Sequence, residues 1–114
     1  MLFRSENVEA SLGCEAMTEQ ELADIAKVRE ELGTNFCRRC NYCAPCSAEI
    51  NIPAVFLFEG YYSRYDLKEW AVDRYSQLKK KASDCIECGV CEARCPYNLP
   101  IRQMLKKAAE VFEK

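Results

Sequence analysis

Cys85, Cys88 and Cys91 recur at every third position, Cys95 follows four residues on, and Pro96 stands directly behind it. This C-x2-C-x2-C-x3-C-P spacing is a ligand run of bacterial iron–sulfur proteins. Cys37, Cys40, Cys43 and Cys46 make a second run upstream. The requirement behind the spacing is geometric. A 4Fe-4S cubane has iron at its corners, so a tight loop that turns every third side chain inward can hold three of them, and the fourth ligand must come from elsewhere. In two-cluster proteins with this run the last cysteine ligates the other cluster. The rule predicts Cys37, Cys40, Cys43 and Cys95 on cluster 1 and Cys85, Cys88, Cys91 and Cys46 on cluster 2. Eight of the nine cysteines are then metal ligands, and Cys14 is left over.

Two other uses of clustered thiols compete with this reading. Structural zinc bound by four cysteines usually pairs two separated C-x2-C knuckles, whereas here four thiols crowd between positions 37 and 46. A disulfide framework suits secreted chains, and successive turns of one loop rarely meet disulfide geometry. The chain contains no histidine, which excludes mixed Cys/His zinc fingers, Rieske-type ligation and histidine acid–base catalysis. No residue is assigned as a catalytic acid or base. A net charge of −2 with mixed signs, and basic runs no longer than Lys79-Lys80-Lys81, argue against a nucleic-acid partner. No apolar run approaches the roughly 18 residues of a membrane span, and no signal-peptide core is present. The expected setting is cytoplasmic.

The elements that must position the two runs read as helices. Ser5 is a candidate cap for a short helix ending at Leu12, with Gly13 as a left-handed stop. Cys14 then reads as a small buried hydrophobe. Thr18 and Glu21 form a capping box for a helix over 19–32, with Leu22, Ile25, Val28 and Leu32 on one face and Gly33 as its stop. Phe36 leads into the first run as a shield for a cluster. Between the runs, Asn51 caps a helix with Pro53 in its first turn that carries Val55 through Tyr62. Asp66 and Glu69 suggest a second capping box for a helix bearing Leu67, Trp70, Ala71, Tyr75 and Leu78, with the lysine run at its negative end. After the second run, Pro100 opens a helix with Ile101, Met104, Leu105, Ala108 and Phe112 at helical spacing. Strand alternation is absent, so the fold class is all-α, two cysteine loops held among about five helices.

Cys-Arg-Arg-Cys-Asn-Tyr-Cys against Cys-Ile-Glu-Cys-Gly-Val-Cys is an internal repeat. Asn41 and Gly89 take equivalent places, and both types tolerate the positive φ that a loop wrapping a cubane needs. Arg38, Arg39, Arg94 and Arg102 flank the thiols, either to offset cluster charge and dock an acidic redox partner or as a solvated surface. Tyr42 and Tyr97, beside ligands, read as packing lids. The aromatics between Phe56 and Tyr62 read as core or as an apolar docking face.

From Phe36-Cys37 through Pro45-Cys46, at Ile50-Asn51-Ile52-Pro53, and from Cys85 to Ile101, the chain resembles the C-terminal dicluster domain of iron–sulfur aldo/keto reductases. The resemblance extends to the helix over 19–32, and residues 1–12 resemble the segment where such enzymes leave their TIM barrel. It implies an α-helical ferredoxin fold, shared with iron–sulfur subunits of the fumarate reductase and heterodisulfide reductase type. It also implies two segments, 1–34 as N-terminal helices of a former barrel linker and 35–114 as the dicluster domain. Ser47 stands where the family often has proline, and Arg38, Arg39 and Asn41 replace small residues. Both departures bear on potential and solvent access, which hydrogen bonds and exposure tune.

The reading that follows is electron transfer through two 4Fe-4S clusters, in the service of an aldo/keto reductase-type oxidoreductase, with the barrel domain or another redox protein as partner. Its alternatives are a stand-alone subunit of a fumarate or heterodisulfide reductase type complex and an interaction domain stapled by its clusters.

Overall fold

A computed structural model of the chain describes residues 2–114, with side chains from Phe3 onward. The chain divides into two compact units, Met1–Thr34 and Asn35–Lys114. Among the described residues every regular element is helical: α1 (Leu2–Leu12), α2 (Glu19–Leu32), α3 (Ile52–Ser63), α4 (Lys68–Ser76), a 3-10 turn (Ala82–Asp84), α5 (Val90–Arg94) and α6 (Ile101–Phe112).

The first unit is α1 and α2. Ser5 lies inside α1 rather than at its start, and Gly13 ends the helix without entering the left-handed region, its N–H donating to Glu9 O at 2.9 Å. Cys14 is exposed, not buried as the sequence suggested. The capping box of α2 forms: Thr18 N donates to Glu21 Oε2 at 2.8 Å and Glu21 N to Thr18 Oγ1 at 3.3 Å. Gly33 closes α2 at φ 67° and ψ −171°, a combination essentially reserved for glycine. The apolar face of α2 is about half exposed at Leu22, Val28 and Leu32.

The second unit is built on α3, an apolar helix whose first turns are buried and whose remaining residues are mostly half-buried. Asn51 Oδ1 accepts from Ala54 N at 3.3 Å, Pro53 sits in the first turn where no N–H is needed, and Ile52, Val55 and Phe56 are buried. α4 and α6 pack against it. Trp70 of α4 meets Tyr61 edge-on at 4.9 Å and Phe58 at 6.1 Å, and Phe112 of α6 stacks on Tyr75 at 4.3 Å and meets Tyr62 at 5.6 Å. The aromatics of α3 are thus largely packing surface.

The Asp66–Glu69 capping box does not form. Asp66 adopts φ 55° to close the turn and pairs with Lys68 at 3.2 Å, so α4 starts late, at Lys68, capped by Leu67 without a side-chain bond. The lysine run reaches the helix end through one member: Lys81 Nζ donates to Tyr75 O at 2.7 Å and Ser76 O at 2.6 Å, two of the orphan carbonyls. The Tyr75 hydroxyl donates to Glu113 Oε1 and accepts from Ala82 N at 2.8 Å, tying α4, the 3-10 turn and the end of α6 together. Burial, then the Glu113 carboxylate, pushes the Tyr75 phenol up, so it stays a donor.

Candidate metal centre

The two cysteine runs share a pattern of left-handed backbone turns. Residues forced into the left-handed region come in matched pairs: Arg39 and Glu87 at φ 55°, Asn41 at 64° with Gly89 at 75°, Glu49 at 59° with Asn98 at 50°. Glu49 N bonds Cys46 O at 2.9 Å, and Asn98 N bonds Cys95 O at 3.2 Å. Ile52 N bonds Ile50 O at 3.0 Å, and Ile101 N bonds Leu99 O at 2.8 Å. A helix start follows in each copy, α3 after the first run and α6 after the second. Positive φ at an arginine and a glutamate is unfavourable. Its recurrence at matched positions shows that the loop shape, not residue preference, dictates it.

Burial of the thiols repeats the pattern. In each run the second cysteine is exposed (Cys40, Cys88), the third is buried (Cys43, Cys91), and the first and fourth are half-buried (Cys37, Cys46, Cys85, Cys95). All of these thiols are free, so the disulfide alternative is not realised. Burial pushes the Cys37, Cys43 and Cys91 thiols up, whereas the Val90 N–H, and then the Ser47 hydroxyl, hold Cys88 below the usual range. Metal binding would therefore displace protons from the buried thiols.

Two hollows lie beside the loops. The first is lined by Cys37, Cys40, Cys43 and Cys95, with Phe56 and Tyr97 among the other walls. The second is lined by Cys46, Cys85, Cys88 and Cys91, with Ser47 and Leu105 among its walls. The two are matched in donors, each lined by three thiols of one run and the last thiol of the other. Ile52 lines both.

The donor chemistry fits a cluster: four thiols line each hollow, and thiolate is the ligand of iron–sulfur clusters.

Other groups lock the loops. Glu92 of α5 accepts from Arg102 N at 2.9 Å, Nε at 3.0 Å and Nη2 at 2.8 Å, clamping the second loop to the first turn of α6. Arg94 Nη1 donates to Pro45 O at 3.1 Å across the two runs. Arg38 lies over the Tyr97 ring at 4.1 Å. Of the two tyrosines read as lids, Tyr97 lines the first hollow, while Tyr42 is exposed and lines neither. Phe36, expected to shield a cluster, is instead about half exposed under the Arg64 guanidinium at 5.0 Å, and Phe56 lines the first hollow. The clamp by Glu92 was missed in the sequence because α5 is too short to show a period.

The model of the 4Fe-4S dicluster domain family matches residues 36–100, more than half of the chain and all of both runs. None of the curated proteins and none of the solved structures matches it. The all-helical architecture is that of an α-helical ferredoxin-type domain, and its cofactors are two 4Fe-4S clusters. By its motif and the extent of the match, the chain belongs to the 4Fe-4S dicluster domain family.

Proposed function

We propose that this domain relays single electrons between an external donor and the catalytic site of a partner, with Cys37, Cys40, Cys43 and Cys95 holding one cluster and Cys85, Cys88, Cys91 and Cys46 the other. Such clusters, when bound, exchange one electron each without making or breaking bonds in a substrate. The observation that carries the reading is the composition of the hollows: each draws three thiols from one run and the last thiol from the other. The protein's own contribution is to hold these donors in place, exclude water on the buried side and set the charge around them. Exposed Arg38 and Arg39 beside the first loop support docking of an acidic redox partner. We read that partner as an aldo/keto reductase-type oxidoreductase, supported by the sequence resemblance of both runs, in a cytoplasmic setting whose reducing conditions keep the thiols available.

Paired deletions test the exchange of final ligands. Anaerobically prepared protein should contain about eight irons per chain. If the quartets exchange their last members, Cys46→Ala with Cys88→Ala strikes one cluster and leaves about four irons, whereas Cys46→Ala with Cys40→Ala strikes both and leaves almost none. The opposite result would assign each quartet to its own run. Failure of both clusters to reduce reversibly between roughly −700 and +450 mV would make them structural staples and overturn the relay.

A further inference from the structure

Ser47 follows Cys46, and its exposed side chain reaches the opposite loop, where Oγ lies 3.6 Å from Cys88 Sγ, a contact length suited to sulfur's large radius. Both residues line the second hollow. The matching position in the first hollow, directly after Cys95, is Pro96, which has neither a hydroxyl nor a backbone N–H. Two sites alike in thiols thus differ in that a hydroxyl touches a ligand cysteine of the second.

We propose that Ser47 sets the potential of the second cluster: its hydroxyl donates to Cys88 Sγ and raises that cluster's reduction potential, leaving the first cluster untouched. This rests on the ligand assignment above. A metal-bound thiolate has no proton to give, so the hydrogen in the contact is the serine's. Reduction adds one negative charge that spreads over the cube and its sulfurs. A donor dipole pointed at one of those sulfurs therefore favours the reduced form over the oxidised one. The Val90 N–H faces the same sulfur, so Ser47 supplies a further donor rather than the whole effect. Arg102 near this loop is already engaged by Glu92, and Arg38 and Arg39 lie by the other loop. These charges set the baseline of each cluster but do not depend on the Ser47 hydroxyl. Because Cys88 is exposed, water competes, and the expected change is about five-fold in the ratio of reduced to oxidised cluster. At 59 mV per decade for one electron that is about 40 mV.

The test is a redox titration of the full, iron-loaded chain followed by electron paramagnetic resonance. Wild type should show two reversible one-electron waves, and the one missing from Cys88→Ala is the second cluster's. Ser47→Ala and Ser47→Val should lower that wave by about 40 mV and leave the other in place. Ser47→Thr, which keeps the hydroxyl and has the shape of valine, should restore it. The Thr and Val pair keeps the comparison valid should alanine disturb the loop. Two waves that ignore Ser47, an equal shift of both, or threonine behaving as valine would overturn this inference alone. The absence of any reversible wave in wild type would overturn the relay reading, and this inference with it.

Discussion

Ile52 is the first residue of α3, only 1% exposed, and it lines both hollows. Truncating it to alanine removes a fully packed side chain from the wall between the two sites. Large-to-small changes of this kind cost about 2–5 kcal/mol, through lost transfer energy and the cavity left behind. A cost near 3 kcal/mol is smaller than the whole stability of a small domain, about 5–15 kcal/mol. The fold should survive, but local opening around both loops should become about a hundredfold more frequent, at 1.4 kcal/mol per decade. The assay is anaerobic iron release to a ferrous chelator, followed as a function of time. Ile52→Ala should accelerate release from both clusters together, and Ile52→Val, at about 1 kcal/mol, by only several-fold. Phe56 lines the first hollow and Leu105 the second, so truncating either should labilise one cluster only. Acceleration confined to one cluster in Ile52→Ala, or equal effects of valine and alanine, would refute the assignment of Ile52 to a shared wall.

Two further outcomes follow from the clamps around the loops. Glu92→Gln should speed iron release a few-fold at neutral pH, since it weakens an exposed charge pair and the tether of α6. The Arg102 guanidinium, then its backbone N–H, holds the Glu92 carboxyl below the usual range. The advantage over glutamine is therefore fully present above the ordinary carboxylate value of about 4.3 and fades as pH falls through the lower folded value. The ratio of the two release rates should stay flat from about pH 6 to 8 and approach one in acid. Tyr75→Phe should destabilise the second unit by about 1–3 kcal/mol, because the buried Ala82 N–H loses its acceptor. Faster amide exchange at Ala82, with the Tyr75–Phe112 packing retained, is the measurement that checks it.

Much of this domain was legible in its residues because its strongest signals are local. Thr18 and Glu21 sit three apart and satisfy each other, and Asn51 with Pro53 marks a helix start that needs nothing from the rest of the chain. The helical character followed from period and capping alone. Asp66 and Glu69 offered the same local signal, but the tight return from α3 to α4 claims Asp66 for a left-handed turn, and tertiary geometry wins. The left-handed Asn41 and Gly89 belong to types that tolerate that backbone, whereas nothing about Arg39 or Glu87 as residues announces it. Cys14 misled because a lone thiol gives no local indication of which side it faces. Contacts that cross between the loops, such as Ser47 with Cys88 and Arg94 with Pro45, exist only once both loops are folded, so no reading along the chain could find them.

The paired turns of the two cysteine loops carry a practical corollary. Because Arg39 mirrors Glu87 and Asn41 mirrors Gly89, every substitution in one copy comes with a built-in reference in the other, on the same molecule and in the same tube. Exchanging Asn41 and Gly89 between copies compares an asparagine and a glycine in one twisted peptide environment at two addresses. Such a molecule measures its own asymmetry, and side chains rather than backbone become the variable.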